Sequence, residues 1–159
     1  MTRPGCTVRA LTPDDAGACD AIIASLPYHF GLEAGRTECA QAVQEQDGLA
    51  AVVGGAVAGF LTWRPWYGVA REITWMAVLA QMRGNGVGRA LLDHLAAECT
   101  PTDRYLLVTT LSESVSEPGV EDGYERTRRF YRRNGFTPVW EPSGWWDGQN
   151  QAVLMLRPL

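Results

Sequence analysis

Apolar residues recur at two different periods along the first third of the chain, and each change of period marks an element. Val8 to Leu11 reads as a short strand. Thr12-Pro13-Asp14-Asp15 then carries the features of a helix start: Thr12 as N-cap, Pro13 in the first turn, and two acids at the positive end of the helix dipole. Cys19, Ile22, Ile23 and Leu26 come next at helical spacing, so this helix buries one face until Pro27 ends it. Tyr28, His29, Phe30 and Gly31 form an aromatic connection. A second helix is predicted over 37–46, with Cys39, Ala42 and Val43 as its apolar side, before Asp47-Gly48 turns the chain. Leu49 to Val53, Gly54-Gly55 and Ala56 to Trp63 read as two strands joined by a glycine turn, and another strand runs from Glu72 to Val78.

In the second half, Leu91, Leu92, Leu95, Ala96 and Cys99 give an amphipathic helix after Gly88, stopped by Thr100-Pro101. Tyr105 to Leu111 is a buried strand. Residues 112–122 show no periodicity and form a loop long enough to suggest function. The helix from Tyr124 to Asn134 has Glu121, Asp122 and Glu125 about its start and Arg128, Arg129, Arg132 and Arg133 toward its end, with Gly135 as the stop. Thr137 to Trp140 and Ala152 to Leu156 close the chain as strands. The order β-α-α-β-β-β-α-β-α-β-β is that of an α/β (α+β) fold in one domain spanning 1–159.

Composition narrows the chemistry. With 159 residues, 46% of them hydrophobic and 20% charged, the chain suits a single soluble globular domain. All 14 basic residues are arginines, which removes the Walker A loop, the lysine Schiff base and the kinase lysine. His29 and His94 are the only histidines, so no metal is expected. A net charge of −4 disfavours nucleic acid as a partner. Four cysteines without a C-x-x-C pattern, the absence of a signal-like N-terminus and a longest apolar stretch too short to span a bilayer point to the cytoplasm, with no membrane partner.

Chemistry concentrates between the third predicted helix and the strand before it. Gln81-Met82-Arg83-Gly84-Asn85-Gly86-Val87-Gly88-Arg89 stands where unpaired backbone N–H groups and a helix N-terminus can cradle phosphates, and its glycines admit a ligand close to the backbone. A glycine cluster before a helix is also compatible with a plain tight turn, and the spacing is wrong for a dinucleotide fingerprint. The pattern R-x-x-G-x-G of Arg83, Gly86 and Gly88, preceded by Met76-Ala77-Val78 and followed by Ala90-Leu91-Leu92, resembles the acyl-CoA loop of the GNAT superfamily of N-acyltransferases. Arg129-Phe130-Tyr131-Arg132-Arg133-Asn134-Gly135-Phe136 resembles the family's F-Y-x-x-x-G-F helix. Thr109-Thr110-Leu111, Gly123-Tyr124, Thr127-Arg128 and the late Trp-rich loop are similar to a bacterial subgroup without an assigned substrate.

The resemblance implies a three-layer fold with a central, mixed and mostly antiparallel sheet of about seven strands flanked by about four helices. It implies acetyl-CoA as acyl donor, bound through Arg83, Gly84, Asn85, Gly86, Val87, Gly88 and Arg89 at the pyrophosphate and through Met76, Ala77 and Val78 at the pantetheine arm and acetyl carbonyl. Tyr131 is the implied acid for the departing thiolate. Glu72, six residues before Val78, is the implied base, a role the amine needs because it is mostly protonated at neutral pH. Each has a structural alternative: Phe130 and Tyr131 as helix packing, Glu72 as an ion pair with Arg71. Where many members place an asparagine after the fifth strand, this chain has Thr110-Leu111-Ser112.

Six tryptophans are available to wall an acceptor pocket. Trp63, Trp75 and Trp140 lie in strand patterns and are expected in the core or at a dimer seam, which leaves Trp66, Trp145 and Trp146 open. Tyr28, His29, Phe30, Trp66 and Trp146 are the acceptor-side candidates. The expected activity is acetyl transfer from acetyl-CoA to the primary amine of a small molecule or peptide by direct attack on the thioester, with a homodimer as an open assembly. Two rival readings are an inactive acyl-CoA-binding or regulatory module, and a protein-interaction domain without CoA.

Overall fold

The computed structural model describes residues 5–26, 33–115, 123–146 and 151–159. Seven strands and four α-helices follow the predicted order: β1 (Cys6–Ala10), α1 (Ala16–Ala24), α2 (Glu33–Glu45), β2 (Asp47–Val53), β3 (Ala56–Trp66), β4 (Ala70–Val78), α3 (Val87–Ala97), β5 (Tyr105–Leu111), α4 (Glu125–Arg133), β6 (Thr137–Trp140) and β7 (Ala152–Pro158). The strands form one sheet in the order β1-β2-β3-β4-β5-β7-β6. This mixed seven-stranded sheet with four helices is the predicted architecture. The chain divides into two compact units, Met1–Arg64 with Ile73–Thr100, and Pro65–Glu72 with Pro101–Leu159.

In the first unit the predicted apolar faces of α1 and α2 meet. Cys19, Ile22, Ile23 and Leu26 pack with Cys39, Val43, Phe60 and Ala77 in one buried cluster. Burial pushes the Cys19 and Cys39 thiols up to about 12, so both stay protonated and act as small apolar groups. Leu91, Leu92 and Leu95 give α3 its fully buried face. Asp47-Gly48, expected as a turn, instead opens β2. Gly48 pairs with Thr62 in β3, and its carbonyl accepts from the Leu11 N–H at 2.9 Å. A Cβ on Gly48 would lie 2.5 Å from the Leu61 carbonyl oxygen, so glycine serves a close strand approach there.

The start of α1 also differs from expectation. Pro13–Asp15 form a short 3-10 turn, and α1 proper begins at Ala16. Asp15 does the anchoring: its carboxylate accepts the Thr12 backbone N–H at 2.9 Å and both ends of the Arg9 guanidinium at 2.8 Å. The Arg9 hydrogen bonds hold the Asp15 carboxyl at about 2, below its ordinary 3.8. A folded value below the unfolded one favours the native state at neutral pH, and this contribution fades as pH falls from about 4 toward about 2. Because Arg9 is half exposed, we expect about 1 kcal/mol, read as a drop in the urea midpoint over that window which Arg9→Gln largely removes.

In the second unit β7 pairs antiparallel with both β5 and β6. Arg71, at the start of β4, is buried and its Nε donates to Asp103 at 3.1 Å. Arg128 does not serve the α4 dipole as expected. It lies 2% exposed and donates from Nη1 to the Leu111 carbonyl at 2.8 Å, tying α4 to the end of β5. Arg132 and Arg133 do occupy the last turn of α4. Trp140 is not in the core of the chain: it is 58% exposed, because β6 is the terminal strand of the sheet and all four of its residues face solvent. Trp75, in contrast, packs against the first unit's buried cluster.

Candidate active site

The glycine loop is built within the first unit. As β4 ends, the Leu79 N–H crosses to the Ala58 carbonyl of β3 at 2.9 Å. The chain then makes a 3-10 turn at Ala80–Met82, in which the Met82 and Arg83 N–H groups return to Leu79 and Ala80. Asn85 braces the loop from within by donating its side-chain amide to the Met82 and Arg83 carbonyls, both at 3.3 Å. Gly84 and Gly86 adopt left-handed φ of 78° and 82°, which side chains beyond glycine rarely tolerate. Gly86 is also the N-cap of α3, whose first helical bond runs from the Ala90 N–H to the Gly86 carbonyl at 2.9 Å.

This geometry sets the chemistry of the loop. A helix leaves its first N–H groups without intrahelical acceptors, so those of Val87, Gly88 and Arg89 form the positive end of α3. Nothing stands within 4 Å of where a Cβ would project from Gly84 or Gly86, so the backbone is open on that side. Backbone donors, a helix dipole and open space together fit a pyrophosphate. Arg83 is half-buried at the loop entrance. Arg89 is exposed on α3, bonded to Asp93 at 3.3 Å.

Two supports of this strand escaped sequence reasoning. Gly59 lies in the middle of β3, where a Cβ would stand 3.1 Å from the Ala77 carbonyl oxygen, a Val78 methyl and a Val87 methyl. Its bareness lets the end of β4 and the start of α3 approach together. The signal was a lone glycine inside an apolar strand, which marks close approach. The second is a hydroxyl chain: fully buried Thr62 donates to Thr74 at 2.7 Å, and Thr74 donates to the Gln46 side chain. Side chains from β3, β4 and the end of α2 satisfy one another there, a link between distant positions that spacing does not reveal.

The second unit holds the other candidates. Tyr131 is 6% exposed, its ring meeting Phe130 and Phe136 edge-on with centroids 5.3 Å away in each case. Burial pushes its phenol well above the ordinary 10. Glu72 is half-buried on β4. At the position expected to depart from the family's asparagine, Ser112 is 1% exposed and donates its hydroxyl to Glu141, whose other oxygen accepts from Ser114 at 3.1 Å. Trp66 contacts Tyr67 and Trp145, while Trp146 is 40% exposed. Tyr28, His29 and Phe30 lie outside the described residues, as does 116–122 of the predicted loop. Among the described residues no helix is long and apolar enough to cross a membrane, and no three His, Cys, Asp or Glu side chains gather as metal ligands.

The fold is similar to those of several solved acetyltransferase structures. A protein of the GNAT family from Desulfovibrio desulfuricans superposes with a TM-score of 0.80 at 21% identity, covering 97% of this chain and 99% of its own. The ribosomal-protein-S18-alanine N-acetyltransferase of Escherichia coli gives 0.72 at 19% identity over 97% and 94% of the two chains. An aminoglycoside 6'-N-acetyltransferase complexed with coenzyme A gives 0.73 at 16% identity over 96% of each. No curated protein matches the chain. At these identities the likeness is one of fold. The family model for an acetyltransferase (GNAT) domain matches residues 43–138, from the end of α2 through the glycine loop and α4, and on that match the chain belongs to the GNAT acetyltransferases.

Proposed function

We propose that the chain is an N-acetyltransferase that moves an acetyl group from acetyl-CoA to a primary amine in the cytoplasm, by direct attack of the amine on the thioester. The observation that carries this reading is the strand–loop–helix unit of β4, Arg83–Arg89 and α3, with left-handed Gly84 and Gly86 opening the backbone where a diphosphate would bind. Acetyl-CoA, when bound, supplies an activated acetyl thioester. The loop amides neutralise the diphosphate and fix its position. Backbone groups of Met76, Ala77 and Val78 orient the arm and polarise the carbonyl. Glu72 takes the proton of the incoming amine, and Tyr131 donates a hydrogen bond to the leaving sulfur. Tyr28, His29, Phe30, Trp66 and Trp146 are assigned to the acceptor side.

Thermal unfolding with and without acetyl-CoA tests the donor site. A ligand at 100 times its dissociation constant adds about 2.7 kcal/mol, which for a chain of this size raises Tm by roughly 5–10 °C. A panel of primary amines scored by release of free CoA thiol then tests transfer. No shift at saturating acetyl-CoA overturns the donor assignment, and a shift without thiol release on any amine overturns the enzyme.

The role of Glu72 has its own signature. In Glu72→Gln we expect a rate loss on the order of 10²-fold at the acidic end of the profile, where the amine arrives protonated and most needs a base. The loss should shrink as pH rises toward the amine's own pKa. An unchanged pH–rate profile assigns the proton to water or to another group.

A further inference from the structure

Helix α4 buries an arginine where a short surface helix would ordinarily bury an apolar side chain. Its nine residues hold five arginines, with Phe130 and Tyr131 as the large side chains that have apolar surface to bury. Arg126, Arg129, Arg132 and Arg133 are exposed, and two of them pair with surface carboxylates, Arg129 with Glu125 at 2.7 Å and Arg132 with Glu113 at 3.3 Å. Arg128 and Tyr131 are the buried residues of the helix, at 2% and 6% exposure. Three positions apart, they lie on one face, about a turn from each other.

Stability is a poor reason to keep Arg128 there. Taking a guanidinium out of water is costly, and an apolar side chain of similar volume in its place is often neutral or stabilising. What an apolar side chain lacks is direction. The guanidinium is a rigid planar donor, and its Nη1 donates to the Leu111 carbonyl at 2.8 Å. That carbonyl is itself a fixed point. Leu111 ends β5 in register with Ala152 of β7, and the next N–H, that of Ser112, donates to the Gln151 carbonyl at 2.8 Å. With so little apolar surface to seat α4, one directed bond to a fixed acceptor is what can set the rotation and height of the helix against β5.

Rotation and height of α4 decide where the Tyr131 hydroxyl stands. The Tyr131 ring meets Phe130 and Phe136 edge-on, and its carbonyl accepts the Phe136 N–H at 3.0 Å. All of these contacts come from α4 itself or from the residues directly after it, so they move with the helix and do not place it. Burial leaves the Tyr131 phenol above its ordinary range, the opposite of what a guanidinium charge acting directly on it would produce. Arg128 therefore acts by geometry. Geometry is sufficient, since a misplacement of about 1 Å can cost on the order of 10²-fold in rate.

We propose that Arg128 is a positioning residue, whose bond from α4 to the Leu111 carbonyl places the Tyr131 hydroxyl for the leaving sulfur. The inference rests on the reading of Tyr131 as the group that meets that sulfur. Its test is a double-mutant cycle on the full chain, with Arg128→Met and Arg128→Lys each made in the wild type and in Tyr131→Phe. Arg128→Met should lower kcat about tenfold and leave the KM and dissociation constant of acetyl-CoA within about twofold. Arg128→Lys keeps one donor toward the carbonyl and should recover kcat to within about threefold of wild type. In Tyr131→Phe, where there is no hydroxyl left to place, Arg128→Met should cost less than about twofold more. The Tyr131 ring resonances, which lie in the ring currents of Phe130 and Phe136, should move in Arg128→Met and return in Arg128→Lys. If Arg128→Met fails to fold, Arg128→Lys carries the same cycle with its smaller loss. Equal losses with and without the Tyr131 hydroxyl overturn the proposal and leave Arg128 a structural anchor. Lost acetyl-CoA affinity with kcat retained, or unmoved ring resonances in Arg128→Met, also overturns it. Wild-type turnover in Tyr131→Phe overturns the reading of Tyr131 and this inference together, whereas a slow Tyr131→Phe beside an unimpaired Arg128→Met overturns this inference alone.

Discussion

A Gly86→Glu variant should lose acetyl-CoA affinity by at least about 100-fold, close to 3 kcal/mol, while remaining folded. Gly86 holds φ 82° at the N-cap of α3, with nothing within 4 Å of the position a Cβ would take. Glutamate therefore meets no steric obstacle inside the protein. It does carry a left-handed cost of roughly 1–2 kcal/mol, partly offset because a carboxylate at a helix N-terminus is favoured by the dipole. That same carboxylate occupies the positive end proposed for the diphosphate and repels it. Gly86→Ala separates the two effects, since it bears the backbone cost without the charge and should weaken binding far less. Isothermal titration of both variants with acetyl-CoA reads the difference. Wild-type affinity in Gly86→Glu would detach the loop from the donor.

Tyr131→Phe should lower kcat on the order of 10²-fold and leave the acetyl-CoA dissociation constant within about twofold. Burial raises the phenol above its ordinary range, which makes it a weaker acid than a thiol near 8.5. Full proton transfer to the leaving thiolate would run uphill, so the gain lies in a hydrogen bond offered as negative charge gathers on sulfur. The raised value also fixes the sign of the pH effect: Tyr131 stays protonated through neutral pH, and an alkaline limb belonging to it should fall above pH 10. Phenylalanine preserves the ring contacts with Phe130 and Phe136, so the variant tests the hydroxyl rather than the packing. Unchanged turnover would reduce Tyr131 to a packing residue.

Both variants address residues visible in the sequence, yet the structure alters what each one means. R-x-x-G-x-G marked the loop, but only the fold shows Gly84 and Gly86 both left-handed and open, with Asn85 bracing the turn from inside. Tyr131 was marked by the F-Y-x-x-x-G-F pattern, which carries no information about burial. Its burial is what changes its acidity. Gly59 was present as a lone glycine in an apolar strand, while its three neighbours come from β4 and α3 and could not be named from spacing.

The local and periodic part of the fold is legible in residue order alone. Helical spacing of Cys19, Ile22, Ile23 and Leu26 marked the buried face of α1, because 3.6-residue repetition follows from helix geometry. The bounds of β5 and β6 and the order of all eleven elements came from the same periodicity and from turn residues. Whatever depends on neighbours far along the chain was settled by assembly of the sheet and helices. Asp47-Gly48 looked like a turn and became the start of β2, since a glycine there admits the Leu61 carbonyl. Arg128 was set aside for a helix dipole and was instead buried against the end of β5. Trp140 had a strand pattern that suits a core, and only the strand order left it on the terminal strand facing solvent. Burial, register and charge partners are properties of pairs of segments, and a single run of residues specifies only one member of each pair.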